Sequence, residues 1–205
     1  MTLKLLTQAV GPWPMNTYLI VCGETGASAI VDPGADTASI LALARGTRVD
    51  RILLTHGHPD HCGALAEVRA ATGAPVWIHP ADAELFSLDY DYPLADGDAL
   101  MIGAAAIRVI HTPGHTPGAT CFDLGDGRIL VGDALFTGGP GATACPQDFT
   151  VTMVTMQSII FTWPDETSFH PGHGPPGRIG AERPAYEAFF EHGWPADLHG
   201  DVTWE

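Results

Sequence analysis

An α/β fold is what this sequence predicts, on three observations. Short apolar, β-branched runs fill the first third of the chain with only turns between them. From Asp36 onward, stretches of helical periodicity alternate with further strand-like runs. The 205 residues, 45% of them hydrophobic, supply one compact core. That length is long for one small domain and short for two. With no repeat, linker or low-complexity block, residues 1–205 read as a single domain.

The strands come first. Leu3–Val10, Thr17–Cys22 and Ala27–Val31 are separated by Gly-Pro and Gly-Glu-Thr-Gly turns. Asp32-Pro33-Gly34 closes the third strand. Asp36 then reads as the N-cap of a helix through about Ala44, with Ile40, Leu41 and Ala44 on one face and Gly46 as stop. Val49–Leu54, apolar at Val49, Ile52, Leu53 and Leu54, reads as a strand covered on both faces.

A helix is expected from about Asp60 to Thr72, burying Leu65 and Val68 and ending at Gly73. Pro75–His79 reads as a short strand, Pro80-Ala81-Asp82 starts a short helix, and Asp89–Asp98 is a loop. Leu100–Ile102, Ala106–Ile110, Ala119–Asp123 and Arg128–Val131 are further strands, and Gly138–Pro146 is a Gly/Pro-rich loop. Gln147–Trp163 begins with β-favouring Thr-Val-Thr, yet Phe149, Met153, Met156 and Ile160 fit helical spacing, so a helix is expected. Ser168–His170 is a short strand. Ala181–His192 is an amphipathic helix with Ala185 and Phe189 inward.

Composition narrows the function. Nine Lys+Arg against 24 Asp+Glu give a formal net charge of -15. Such a balance argues against nucleic acid and against anionic membranes as partners. No stretch approaches the roughly 18 apolar residues of a membrane span. The first fourteen residues lack a signal-peptide apolar region and cleavage site. The cysteines at 22, 62, 121 and 145 have no zinc-ribbon or CxxC spacing and read as small buried fillers. A cytoplasmic protein with reduced thiols and a small-molecule substrate is expected.

The chemistry lies in the string T-H-G-H-P-D-H, Thr55 to His61, directly after the Val49–Leu54 strand. It presents His56, His58, Asp60 and His61 within seven residues. Further on come His115 in H-T-P-G-H-T-P-G, Asp133 in V-G-D-A-L-F and His173 in P-G-H-G. Each follows an apolar strand-like run, so the loops bearing them gather at one edge of the sheets. Imidazole and carboxylate donors without thiolate suit zinc, iron or manganese. Seven candidates exceed what one catalytic cation uses. Two cations sharing one carboxylate would use all seven. The glycines at 114, 132, 172 and 174 are expected to allow tight ligand-bearing turns. His79, His111, His170, His192 and His199 carry no such context and are expected to be structural.

The set H-x-H-x-D-H, an isolated His, a G-D-x-L-F Asp and a P-G-H-G His resembles the metallo-β-lactamase superfamily. The glyoxalase II-like branch of short hydroxyacylglutathione hydrolase-like proteins is the nearest in pattern. The resemblance runs from Asn16-Thr17-Tyr18-Leu19-Ile20 through Asp32-Pro33-Gly34 to the Gly-Ala-Glu-Arg stretch after His173. It implies an αββα sandwich of two mixed sheets with helices outside. It also implies that His56, His58 and His115 bind one cation, that Asp60, His61 and His173 bind a second, and that Asp133 bridges them. Asp32 would accept a hydrogen bond that orients a ligand or loop.

The implied activity is that of a binuclear metal-dependent hydrolase, zinc being the first expectation and iron or manganese the alternatives. The substrate would be a thioester or related ester, the nucleophile a metal-bridging hydroxide, and Asp60 would orient it. Two alternatives stand beside it. A persulfide dioxygenase would use one iron held by His56, His115 and Asp133. A lactonase would place a Tyr near the metals, and Tyr18, Tyr90, Tyr92 and Tyr186 are available. The pattern departs from its relatives in two places. About thirty residues follow His173, too few for the glutathione-binding helical domain of glyoxalase II. The segment G-G-P-G-A-T-A-C-P-Q-D-F also lacks the Arg that many short relatives carry there, so recognition of glutathione conjugates is not expected.

Overall fold

A computed structural model describes residues 2–204. Strands β1 (Leu3–Val10), β2 (Met15–Cys22), β3 (Ala27–Val31), β4 (Arg48–Leu53), β5 (Val76–Ile78) and β6 (Tyr92–Pro93) form one six-stranded sheet in that order. The second sheet uses β7 (Ala99–Ile102), β8 (Ala105–His111), β9 (Thr120–Asp123), β10 (Arg128–Gly132), β13 (Ser168–Pro171) and β14 (Gly177–Arg178), in the order β14-β13-β10-β9-β8-β7. β11 (Leu135–Phe136) and β12 (Gly139–Pro140) make a small ribbon. Both large sheets are mixed: β3, β4, β5 and β6 run parallel, as do β10 and β13.

Alternation along the strands builds three apolar layers. Tyr18, Ile20, Ala29, Val31 and Leu53 of the first sheet meet Leu100, Ile107, Val109, Phe122 and Leu130 of the second. The residues between them in sequence point the other way. Leu19, Val21, Ile30 and Ile52 lie beneath helices α1 (Thr37–Leu43) and α3 (Leu65–Thr72). Cys121, Ile129 and Val131 lie beneath α5 (Pro146–Ser158) and α6 (Ile179–His192), with Phe149, Met153 and Met156 facing them. Helix, sheet, sheet, helix is therefore the layering, the αββα sandwich of the sequence expectation. Among the described residues, no helix is long and apolar enough to cross a membrane.

Several local expectations need correction. The helix expected over 60–72 is two: α2 (Pro59–Cys62) and α3, parted at Gly63 and Ala64. Ala64 N–H donates to Pro33 O at 2.9 Å rather than continuing the helix, which docks the ligand turn on Asp32-Pro33-Gly34. Asp36 occupies the N-cap position of α1 with left-handed backbone angles, and its carboxylate accepts from Gly11 N–H at 2.9 Å instead of from the helix. The loops at 89–98 and 138–146 each contain a two-residue strand, β6 and β12.

In α6 the inward face is Ile179, Glu182 and Tyr186 with Phe189 half-buried, and Ala185 is exposed. The cause is Glu182, an acid that turns inward because its carboxylate accepts from Gly138 N–H at 2.8 Å. The Gln147–Trp163 ambiguity resolves as helix α5, with Pro146 in its first turn, followed by a 3₁₀ turn at Ile160–Thr162.

Phe122 is fully buried between the sheets, whereas Met101 is 48% exposed on the same sheet. Phe122→Ala should lower unfolding free energy by about 3–5 kcal/mol, through lost burial and an unfilled cavity. Met101→Ala should change it by no more than about 0.5 kcal/mol. Urea denaturation of the two variants checks the layer assignment, and equal losses would contradict it.

Candidate metal centre

The parallel pairs β3–β4 and β10–β13 end at a common edge, and the loops leaving them hold the predicted residues. β4 leads into His56, His58, Asp60 and His61. β8 leads to His115, β10 to Asp133 and β13 to His173. All seven come together. His56 Nε2 and His115 Nε2 lie 3.1 and 2.9 Å from His58 Nδ1. His173 Nε2 lies 3.1 Å from Asp60 Oδ2. Ligand atoms of His56, His58 and His115 are all within 4.8 Å of one another, as are those of Asp60, His61 and His173. Asp133 stands between the two groups, with Oδ1 3.4 Å from His61 Nε2 and Oδ2 3.7 Å from both His115 Nε2 and His173 Nε2.

Hydrogen bonds at the outer ring nitrogens fix which atom faces inward. Thr55 hydroxyl donates to Asp32 Oδ2 at 2.6 Å, which leaves Thr55 Oγ1 to accept from His56 Nδ1–H at 3.0 Å. His61 Nδ1–H donates to the same Asp32 Oδ2 at 2.9 Å. His115 Nδ1–H donates to Ala142 O at 2.7 Å and His173 Nδ1–H to Pro14 O at 3.0 Å. Each of these four imidazoles thus turns its Nε2 toward the centre. Asp32 orients two of them, as the sequence suggested. Thr55 and the carbonyls of Pro14 and Ala142 were not foreseen. Thr55 could have been suspected from its place before His56, but a carbonyl leaves no mark in sequence.

These residues fit cations better than they fit one another. His58 Nδ1 can give its proton to only one of the two lone pairs it faces. His61 Nε2 and Asp133 Oδ1 are buried without any hydrogen-bond partner. Their 3.4 Å approach lacks hydrogen-bond alignment, so the attraction between them is ionic. Orphaned buried polar atoms are costly unless an ion or water completes them. Gly172 is required by the same crowding, since a Cβ there would lie 2.1 Å from Asp133 Oδ1. Gly114, Gly132 and Gly174 instead have positive φ.

Electrostatics agree. Burial, and then the neighbouring His61 and His115, hold His56 well below the ordinary imidazole value, so it is neutral and ready to donate a lone pair. Burial lowers His58 too, aided by His115. For His61, burial opposes protonation, but Asp133 and Asp32 outweigh it and carry its pKa to about 10. Burial would raise Asp133, yet His61 above all keeps its carboxyl below the usual range.

The remaining candidates lie elsewhere. Cys62 donates weakly to His56 O, and burial raises its thiol pKa. Tyr18 spends its hydroxyl on Pro171 O at 2.7 Å. His79 caps helix α4 (Pro80–Phe86) and stacks on His111, and His111 bonds Pro117 O. His170 lies edge-on to Tyr18, and His199 bonds Asp197 O in its own loop.

The family description "metallo-beta-lactamase superfamily" matches residues 10–188. The chain belongs to the metallo-β-lactamase superfamily. A hydroxyacylglutathione hydrolase of Anaeromyxobacter dehalogenans is 41% identical over 158 residues, covering 77% of this chain. This chain spans only 60% of that relative's length. A crystal structure of TTHA1623 in a di-iron-bound form superposes with a TM-score of 0.74 at 32% identity, covering 87% of this chain and 96% of that one. ETHE1 from Myxococcus xanthus gives 0.78 at 26% identity, covering 92% and 84%. This metallo-β-lactamase superfamily member sits with the glyoxalase II-like relatives.

Metal-free protein should reveal the His61 proton. A raised pKa contributes stability in full below the unfolded value of about 6.5, and that contribution fades as pH climbs toward about 10. A divalent cation at His61 Nε2 has to displace this proton. Uptake near neutral pH should therefore release at least about one proton per chain. Calorimetry in buffers of differing ionisation enthalpy measures it, and uptake without proton release would remove His61 from the ligand set.

Proposed function

We propose that this chain is a binuclear hydrolase of thioesters or related esters. His56, His58 and His115 would hold one divalent cation, Asp60, His61 and His173 would hold the other, and Asp133 lies where it would serve both. The observation that carries the reading is the position of Asp133, within 3.4–3.7 Å of histidines from both groups. A carboxylate so placed has an oxygen for each cation. The di-iron form of one structural neighbour and the hydroxyacylglutathione hydrolase name of a relative favour the same reading. We assign zinc, which the imidazole and carboxylate donors suit, as they do iron and manganese. The four free cysteines fit a reducing, cytoplasmic setting.

When bound, two such cations supply Lewis acidity, bringing the pKa of a coordinated water to about 7 and polarising a carbonyl oxygen. The chain's own residues supply position. The site runs from His61, fully buried, to Asp60, whose side chain is 49% exposed. Substrate therefore approaches from the Asp60 and His173 side. Asp60 there would orient a water for attack on the acyl carbon. Asp32 and Thr55 keep His56 and His61 in one tautomer throughout. A thiolate leaves without needing a strong proton donor, which suits a site whose nearby Tyr18 hydroxyl is engaged and whose His61 is tied to carboxylates.

Metal-replete protein should carry two cations per chain. Asp133→Asn should lose metal and reduce kcat by more than the roughly 10–100-fold typical of a supporting residue. His79→Gln should keep its metal. Elemental analysis of the three proteins decides, and a wild type holding one cation remote from Asp60 and His173 would favour the mononuclear alternative.

Oxygen uptake and thiol release, followed together on an acyl thioester and a persulfide, separate hydrolase from oxygenase. Thioester cleavage should persist anaerobically and decline below pH about 7. Oxygen uptake on the persulfide without thioester cleavage would reject the hydrolase. Turnover of a lactone or β-lactam alone would move the substrate class.

A further inference from the structure

Asp82 lies in the first turn of α4, is fully buried, and pairs with no Lys or Arg among the described residues. Three donors converge on its carboxylate. Gly57 N–H reaches Oδ2 at 2.9 Å, Thr116 Oγ1–H reaches Oδ2 at 2.8 Å, and Gly118 N–H reaches Oδ1 at 2.6 Å. Gly57 stands between His56 and His58, and Thr116 follows His115. One side chain therefore ties together the two loops that carry the three histidines of the first group, from the side away from the centre.

His58 gives this tie its importance. His56, His61, His115 and His173 each anchor their outer ring nitrogen on Thr55, Asp32 or a carbonyl. His58 has no such bond among the described residues. Its ring rests edge-on against Phe86, with centroids 5.1 Å apart, and Phe86 also belongs to α4. Helix α4 thus supplies both restraints on His58, the ring contact and the grip on Gly57. Burying a carboxylate with no cationic partner is expensive, and a neutral loop tie would hold the fold without that cost.

We propose that Asp82 is a positioning residue for the His56–His58–His115 group. It sets the spacing of these imidazoles, and so the cation affinity of that group, without touching a cation. The inference deepens the two-cation reading above and rests on it for its internal control. An amide cannot substitute. Whichever oxygen becomes NH₂ in Asp82→Asn faces a backbone N–H, of Gly57 or of Gly118, which has no lone pair to offer. The helix, its cap at His79 and the sheet contacts remain.

The test is a zinc titration of metal-free protein carrying ¹⁵N-labelled histidine, with chelator buffering and the imidazole signals followed individually. In Asp82→Asn the midpoint for His56, His58 and His115 should rise about tenfold or more, with His61 and His173 within about twofold of wild type. A purely structural role would move both sets together. Equal movement of both sets, or no movement of the first, overturns the proposal. Should Asp82→Asn fail to fold, Thr116→Val cuts one tie and keeps the two backbone bonds. It should raise the first three midpoints by about threefold or more, again selectively, and equal or absent movement there overturns the proposal likewise. A wild type in which His61 and His173 never respond rejects the two-cation reading. An unchanged midpoint for the first group in the variant rejects this one.

Discussion

Asp32 is the constraint on which the rest of this structure turns. It is a buried carboxylate held in a left-handed conformation, φ 52°, at the end of β3. It receives Thr55 N–H at 2.7 Å, the Thr55 hydroxyl and His61 Nδ1–H. Through Thr55 it also sets His56. One carboxylate thereby fixes the tautomer of a histidine in each group and pins the strand end from which the ligand string departs. Its backbone N–H binds Leu53 O, so the same residue joins two parallel strands.

That grip would be useless without the topology around it. Parallel pairing places the carboxyl ends of β3 and β4 together in one sheet and those of β10 and β13 together in the other. Face-to-face packing through Phe122, Leu130, Ile20 and Leu53 brings the two edges into register. Asn16 completes the join across the sheets. Its side chain donates to Pro171 O and Gly174 O, clasping both ends of the His173 turn. The core's dense apolar packing thus serves the site by holding four separate loops at hydrogen-bonding precision.

The centre is polarised in depth. His56 and His61 are sealed in, His58 and His115 are half-buried, and Asp60 and His173 face solvent. Buried imidazoles are held neutral or paired with carboxylates, so the interior charge is arranged for cations. The open rim leaves room for a substrate.

The sequence by itself determined where most strands lie, the ligand-bearing residue types and their order, because apolar, β-branched runs and the string His56 to His61 are local properties. It also marked Asp32 as a support, through the family pattern. It did not reveal that Gly63 and Ala64 break the helix, that Asp36 serves Gly11, or that Glu182 turns α6 by one position from the expected face. Each depends on a hydrogen-bond partner far away in the chain, which no local pattern encodes. The same holds for Asp82, an ordinary first-turn acid in sequence. Only the tertiary structure places Gly57, Thr116 and Gly118 around it, because a buried carboxylate's partners are chosen by the fold that surrounds it rather than by its neighbours in sequence.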